Sequence, residues 1–135
     1  MNVIYSEPNL VTIEHDPQTR CFVSHWTKLN GPHFRRALEA LLAAARLHGI
    51  EAHLSDAGRV SDLPALADFQ WAETFLRSEL VRAGLRRFIN VVPTTTVVSL
   101  GAVRFGRVAA SASVETWQVG SLNEAFAALV GRLAA

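Results

Sequence analysis

The sequence predicts an α/β fold: a mostly parallel central sheet, entered through an N-terminal antiparallel hairpin and covered by helices, in the order ββαβαβαβα. Two patterns predict it. Short runs of alternating or continuous apolar residues take turns with segments whose apolar residues recur every three or four positions. Strands separated by helices need crossovers, and crossovers leave neighbouring strands parallel. Size is the third observation. The 135 residues are 50% apolar and 19% charged, so they make one domain over residues 1–135. A chain of this length buries about two-thirds of its extended surface, enough for one core without disulfides or metals.

Val11, Ile13 and His15 alternate with Thr12 and Glu14, Asp16-Pro17-Gln18-Thr19 supplies turn chemistry, and Cys21-Phe22-Val23 resumes a strand. The spacing predicts a hairpin over 9–15 and 20–26. Gly31-Pro32 opens the first helix, because proline in a first turn lacks only an N–H that has no partner there. Phe34, Leu38, Leu41, Leu42 and Ala45 share one helical face, with Arg35, Arg36, Glu39 and Arg46 off it, and Gly49 supplies the stop. Residues 50–56 lie between two helical patterns, where a buried strand is expected. Ala57 to Asp62 reads as a loop. The helix after it, over 64–83, carries a stripe of Leu66, Phe69, Ala72, Leu76, Leu80 and Ala83, ended by Gly84. Phe88, Ile89, Val91 and Val92, interrupted by Asn90 and closed by Pro93, read as a strand buried on both faces.

Residues 94–98 are open to two readings. Five β-branched residues favour a strand, whereas Thr94 or Thr95 would cap a helix with Val97, Gly101, Phe105 and Val108 on one side. Position in the alternation favours the helix. Residues 113–119 alternate as a strand, and Ser121-Leu122-Asn123-Glu124 is a capping-box pattern ahead of Phe126, Leu129, Val130 and Leu133.

Charge and cysteine content narrow the function classes. A formal net charge of +1 gives no electrostatic case for nucleic acid. Cys21 stands alone, which excludes an intramolecular disulfide and a cysteine-based zinc site. No apolar run, that of Leu41 to Ala45 included, approaches the roughly 20 residues that span a bilayer, so no transmembrane segment is expected. Glu7 and Pro8 near the start do not fit a secretory leader, and a cytoplasmic protein is the expectation.

Parallel sheets bind ligands beyond the carboxyl ends of their strands, which here points to Asp56–Asp62, Pro93–Thr96 and Gly120-Ser121. Asp56 and Asp62 are spaced to serve a metal or a proton transfer. The simpler reading has Asp56 bonding loop amides while Asp62 or Ser61 caps the next helix, and it is preferred. His15, His25, His33, His48 and His53 form no helical metal-binding spacing and read as structural or surface residues, with His53 facing the core. Cys21, inside a strand, reads as a small buried hydrophobe. No phosphate-binding or nucleophile-elbow motif occurs, and no cofactor is expected. Trp26 and Trp71 could wall an apolar pocket, although core packing is the plainer expectation. Arg82, Arg86, Arg87, Arg104 and Arg107 read more simply as a solvated helix rim than as an anion site.

Trp26 after the second strand, Phe34-Arg35-Arg36-Ala37-Leu38-Glu39, the strand ending in Asp56, Trp71, Ala83-Gly84-Leu85-Arg86-Arg87 and the strand closing on Pro93 together resemble the bacterial SpoIIAA-like, STAS-type proteins over residues 9–134. That resemblance implies a SpoIIAA-like (βα)n sandwich, more distantly shared with CRAL-TRIO-type lipid-transfer domains, and neither relative is a catalyst. Anti-sigma-antagonist STAS domains carry a phosphorylatable serine within Asp-Ser-x-Gly. The matching stretch, Val60-Ser61-Asp62-Leu63-Pro64, has serine before aspartate and no glycine, which weighs against phosphorylation of Ser61.

The expectation is a non-enzymatic STAS-like regulatory or protein-interaction module that self-associates as a homodimer. Trp71 and Phe75, beside the apolar stripe of helix 64–83, supply the reason. The alternative is a carrier or sensor of a small apolar or lipid-like ligand, held near Trp71 and Phe105. An enzyme using the Asp56, Ser61 and Asp62 loop is the third reading. The surface these readings share comprises Trp26, Asp56, Ser61, Asp62, Trp71, Thr94 and Phe105.

Overall fold

The structure, a computed structural model, describes residues 1–91 and 114–134. The expected helix carrying Val97 and Phe105, and the site residues Thr94 and Phe105, lie outside the described residues. Six strands, β1 (Asn2–Glu7), β2 (Val11–Asp16), β3 (Cys21–Trp26), β4 (Ala52–Asp56), β5 (Arg87–Val91) and β6 (Glu115–Val119), form one sheet in that spatial order. β1, β2 and β3 pair antiparallel, and β3 through β6 pair parallel. Helix α1 (His33–His48) joins β3 to β4, and α3 (Leu122–Ala134) follows β6. Between β4 and β5 runs α2. It is α-helical over Leu66–Trp71, widens to a π turn over Ala72–Leu76, and is α-helical again over Arg77–Arg82.

The expected hairpin is present as β2 and β3, and β1 adds a third strand that extends it to a meander. β1 escapes a period-2 reading because its register on β2 slips between Val3 and Tyr5, so its side chains do not alternate cleanly. Asn9, at φ 64°, makes the tight return to β2 in a conformation that asparagine tolerates better than most residues. α1 follows its sequence pattern closely. Phe34, Ala37, Leu38, Leu41, Leu42 and Ala45 are buried, and the Gly49 N–H closes the helix on the Ala45 carbonyl at 2.8 Å. Ser121 caps α3 as the Ser121–Glu124 pattern predicts, while the reciprocal bond goes to Gly120, one residue before the cap. The Glu124 N–H donates to Ser121 Oγ at 3.2 Å, while its carboxylate accepts from the Gly120 N–H at 2.9 Å.

α2 departs from its expected stripe. Ala72, Leu76 and Leu80 are buried, but none of Leu66–Trp71 is, and Leu66 is 63% exposed. Its start differs too. Pro64 disfavours helical backbone at Leu63, and the first helical residue is Leu66 rather than a position beside Ser61.

Apolar side chains occupy both faces of the sheet. Val11, Ile13, Phe22, Trp26 and Phe88 meet α1 and α2 on one face, with Leu41 and Leu76 among the best-buried partners. Cys21, Val23, Ala52, Leu54, Ile89 and Val91 meet Ala125 and Leu129 of α3 on the other. The register makes this division strict. Cys21 pairs with Ala52, Val23 with Leu54 and His25 with Asp56, all on the α3 face, while Phe22 pairs with His53 and Ser24 with Ser55 on the α1/α2 face.

The two crossovers meet at the amino ends of β4 and β5. Gly84 ends α2 at φ +118°, and a Cβ there would lie 2.6 Å from the Ile50 carbonyl oxygen. Both a left-handed backbone and contact with another backbone demand glycine. Gly84→Ala is therefore expected to lower stability by about 1–3 kcal/mol in urea titration, without changing the far-ultraviolet spectrum of the folded protein.

Candidate functional site

Parallel pairing brings the carboxyl ends of β3 to β6 to one edge of the sheet. At that edge β3 ends in His25 and Trp26 and β4 ends in Asp56, and because side chains alternate, His25 and Asp56 share the α3 face while Trp26 points to the other.

His25 is held between two carboxylates from neighbouring strands. Its Nδ1 lies 3.3 Å from Asp56 Oδ2 and its Nε2 3.1 Å from Glu14 Oε1. Only an imidazolium can donate to both at once. The Asp56 hydrogen bond, followed by the Glu14 charge, accordingly raises the His25 pKa above its ordinary value, against the opposing effect of burial. Asp56 shifts the other way, held below the usual carboxylate range first by the His25 bond, then by the Gly58 N–H and the field of Arg59. Its second oxygen, Oδ1, accepts that Gly58 N–H at 3.2 Å.

Asp62 does not cap α2. Its carboxylate accepts the Leu29 N–H at 3.0 Å and the Asn30 N–H at 2.8 Å, tying the loop after β4 to the loop after β3. Ser61 is exposed, five residues ahead of the first helical residue of α2. Asp56 and Asp62 therefore serve different partners. The structure joins Asp56 to His25 and Glu14, and Asp62 to main-chain amides.

The tryptophans also part company. Trp26 is buried in the core, 5.4 Å from the Phe34 ring and 6.3 Å from that of His33. Trp71 sits at the rim between α1 and α2, with the Arg35 guanidinium 5.2 Å above its ring and Phe75 stacked at 6.2 Å. Arg35 also donates to Asp68 Oδ1 at 2.6 Å, so Trp71 is one wall of a cation–π and ion-pair seam. Arg82 pairs with Glu79 of its own helix, and Arg87 of β5 lies 3.9 Å from Glu115 of β6.

Beneath α1 and α2 a polar pair crosses the core. Ser24 Oγ and His53 Nε2 lie 2.7 Å apart, both buried, with the His53 ring edge-on to Phe88 at 5.4 Å. Burial pushes the His53 pKa down to about 4. Cys21 is equally inert, its thiol pushed up to about 12 by burial and then by the Asp16 charge.

Sequence reasoning put His25 among structural or surface histidines and missed its two carboxylates. The signal was obtainable only through register. Glu14 and His25 fall on one face once the meander is aligned, and Asp56 joins them once β4 is paired in parallel.

Two outcomes follow from these contacts. Asp62→Ala strands two loop amides and is expected to cost about 1–3 kcal/mol, measured by denaturant titration, with Asp62→Asn retaining part of that stability. His53 stays neutral in the fold but takes up a proton near its ordinary value when unfolded. Its contribution is therefore intact above about pH 6.5 and is lost as pH falls toward 4, at about 1.4 kcal/mol per pH unit. Thermal melts across that window should fall steeply, and His53→Gln should flatten the dependence.

Comparison with family models, curated proteins and solved structures finds no match, so the chemistry of this edge rests on its own residues.

Proposed function

We propose that this chain is a non-enzymatic STAS-like module that regulates through protein contact, with a second copy of itself as partner. The carrying observation is the outer side of α2 and its approach. Leu66 is 63% exposed, Phe75 48% and Leu63 37%, although these are side chains that monomers usually bury. A second copy suits this surface because a two-fold contact sets one patch against itself, and apolar side chains need no complementary charge to meet their own copies.

The fold supports the family part of this reading. After the meander, each new strand joins beside the last, β3 to β4 to β5 to β6, which is how a (βα)n superhelix grows. The side chains at the loop edge support the non-enzymatic part. Asp62 is engaged by loop amides, Asp56 by Gly58 and His25, and Cys21 is a buried thiol far from ionising at neutral pH. A free buried thiol also fits a reducing, cytoplasmic setting.

Size-exclusion chromatography with light scattering tests the partner. The expected mass is twice the 14.7 kDa of one chain, and Phe75→Ser combined with Leu66→Glu should halve it while leaving the far-ultraviolet spectrum of the folded protein unchanged. A wild-type mass of 14.7 kDa at the highest attainable concentration would overturn self-association.

A further inference from the structure

On the α3 face, the helix contacts β5 and β6 and Cys21 and Val23 of β3 are buried, whereas β2 presents half-buried Thr12, Glu14 and Asp16 and β3 ends in half-buried His25. Glu14, His25 and Asp56 stand along this boundary, one on each of three adjacent strands. They also span the line where the sheet changes from antiparallel to parallel pairing. Their side chains are 29%, 31% and 21% exposed, so water and protons reach them while the two ion pairs remain partly shielded.

We propose that Glu14, His25 and Asp56 form a protonation-dependent clasp: closed while His25 is an imidazolium donating to both carboxylates, and open once it loses a proton, releasing the loop that begins at Asp56. Geometry carries this. A neutral imidazole has one N–H and one lone pair, so it can satisfy one of the two carboxylates, and the other then faces a nitrogen lone pair at hydrogen-bond distance. Among the described residues, the charged groups facing His25 are Glu14 from β2 and Asp56 from β4, with Arg59 beyond Asp56 from the loop. Both direct partners are anions, and both favour the charged ring.

The clasp connects to the loop through the two oxygens of Asp56. Oδ2 takes His25 and Oδ1 takes the Gly58 N–H, so the residue that closes the clasp also forms the turn into Gly58 and Arg59. Farther on, Asp62 holds the loop after β3. Loss of the His25 proton loosens the first of these anchors and leaves the second. The responsive segment is thus the exposed turn at Gly58 and Arg59, between the buried Ala57 and Val60, on the edge where parallel sheets receive ligands. α2 and its exposed apolar side chains pack on the opposite face, so this inference stands apart from self-association.

Two measurements on the intact chain test it together. Imidazole resonances followed through a pH titration should place the His25 midpoint above the ordinary value of about 6.5, with Glu14→Gln lowering it and Asp56→Asn lowering it further. Trypsin cleavage after the exposed Arg59 should be normalised at each pH to an unstructured peptide of the same local sequence. That ratio should rise by about threefold or more between about pH 6 and about pH 9, with the same midpoint. In His25→Gln, which folds without a titrating group, the ratio should be raised and independent of pH. A wild-type midpoint at or below the ordinary value overturns the proposal. So does a cleavage ratio that stays flat while His25 titrates. If Asp56→Asn fails to fold, the wild-type titration and Glu14→Gln decide the matter alone.

Discussion

The constraint on which the structure depends is that β3 is buried on both faces while pairing antiparallel with β2 and parallel with β4. One strand must feed two cores. Phe22 and Trp26 enter the layer under α1 and α2, and Cys21 and Val23 enter the layer under α3. Each side chain is small or large as its layer requires, and a register slip of one residue would exchange the two sets. The same alternation dictates polarity. Ser24 falls where a helix covers the sheet, so its hydroxyl needs an internal partner, and His53 on the next strand supplies one at 2.7 Å. His25 is the last residue of β3 on the α3 face, where partial exposure allows a charge. Along β3 and β4 the paired positions pass from Cys21–Ala52 and Val23–Leu54 to His25–Asp56, from apolar contact to ion pair as cover is lost.

The loops at the carboxyl edge are organised by carboxylates rather than by helix caps. Asp56 and Asp62 bracket one loop but hold different things. The first bonds within its own turn and to β3, while the second reaches across to Leu29 and Asn30. A carboxylate accepting main-chain N–H groups is stronger than a neutral acceptor would be, and it orders a connection that has no helix or strand of its own. The loop after β3 gains further order from His33, whose Nε2 lies 2.6 Å from the Lys28 carbonyl oxygen. Two connections that a sequence shows as separate stretches are therefore one linked surface.

Local patterns made much of this architecture legible. The helical face from Phe34 to Ala45 and the capping pair Ser121 and Glu124 depend on neighbours a few residues apart, and so does the buried run around Ile89. What was not legible depends on distant partners. β1 was hidden by the slip between Val3 and Tyr5, and the π turn of α2 has no marker residue in Ala72–Leu76. Asp62 looked like a helix cap because it precedes a helical stripe, yet Pro64 delays the helix and frees that carboxylate for another loop. Likewise, Glu14, His25 and Asp56 are far apart in sequence, and only the pairing of three strands joins them.

The histidines show how one residue type takes opposite tasks within one sheet. His53, wholly enclosed, must remain neutral, and His15, stacked 4.3 Å from Phe22 and 5.2 Å from His48, is pushed the same way by burial and then by its neighbour's charge. Both withdraw stability as pH falls below the ordinary imidazole range. His25 does the reverse. Its raised pKa means that its ion pairs stabilise while the ring is charged and fade as pH climbs through the folded-state value. Magnitude assigns the roles. A fully buried imidazole has no water to share the charge, whereas pairs as exposed as those of His25 are screened and contribute little to the whole. The core histidine therefore limits the fold on the acid side, and loss of the His25 proton on the alkaline side is a local event confined to the strand ends and the loop they carry.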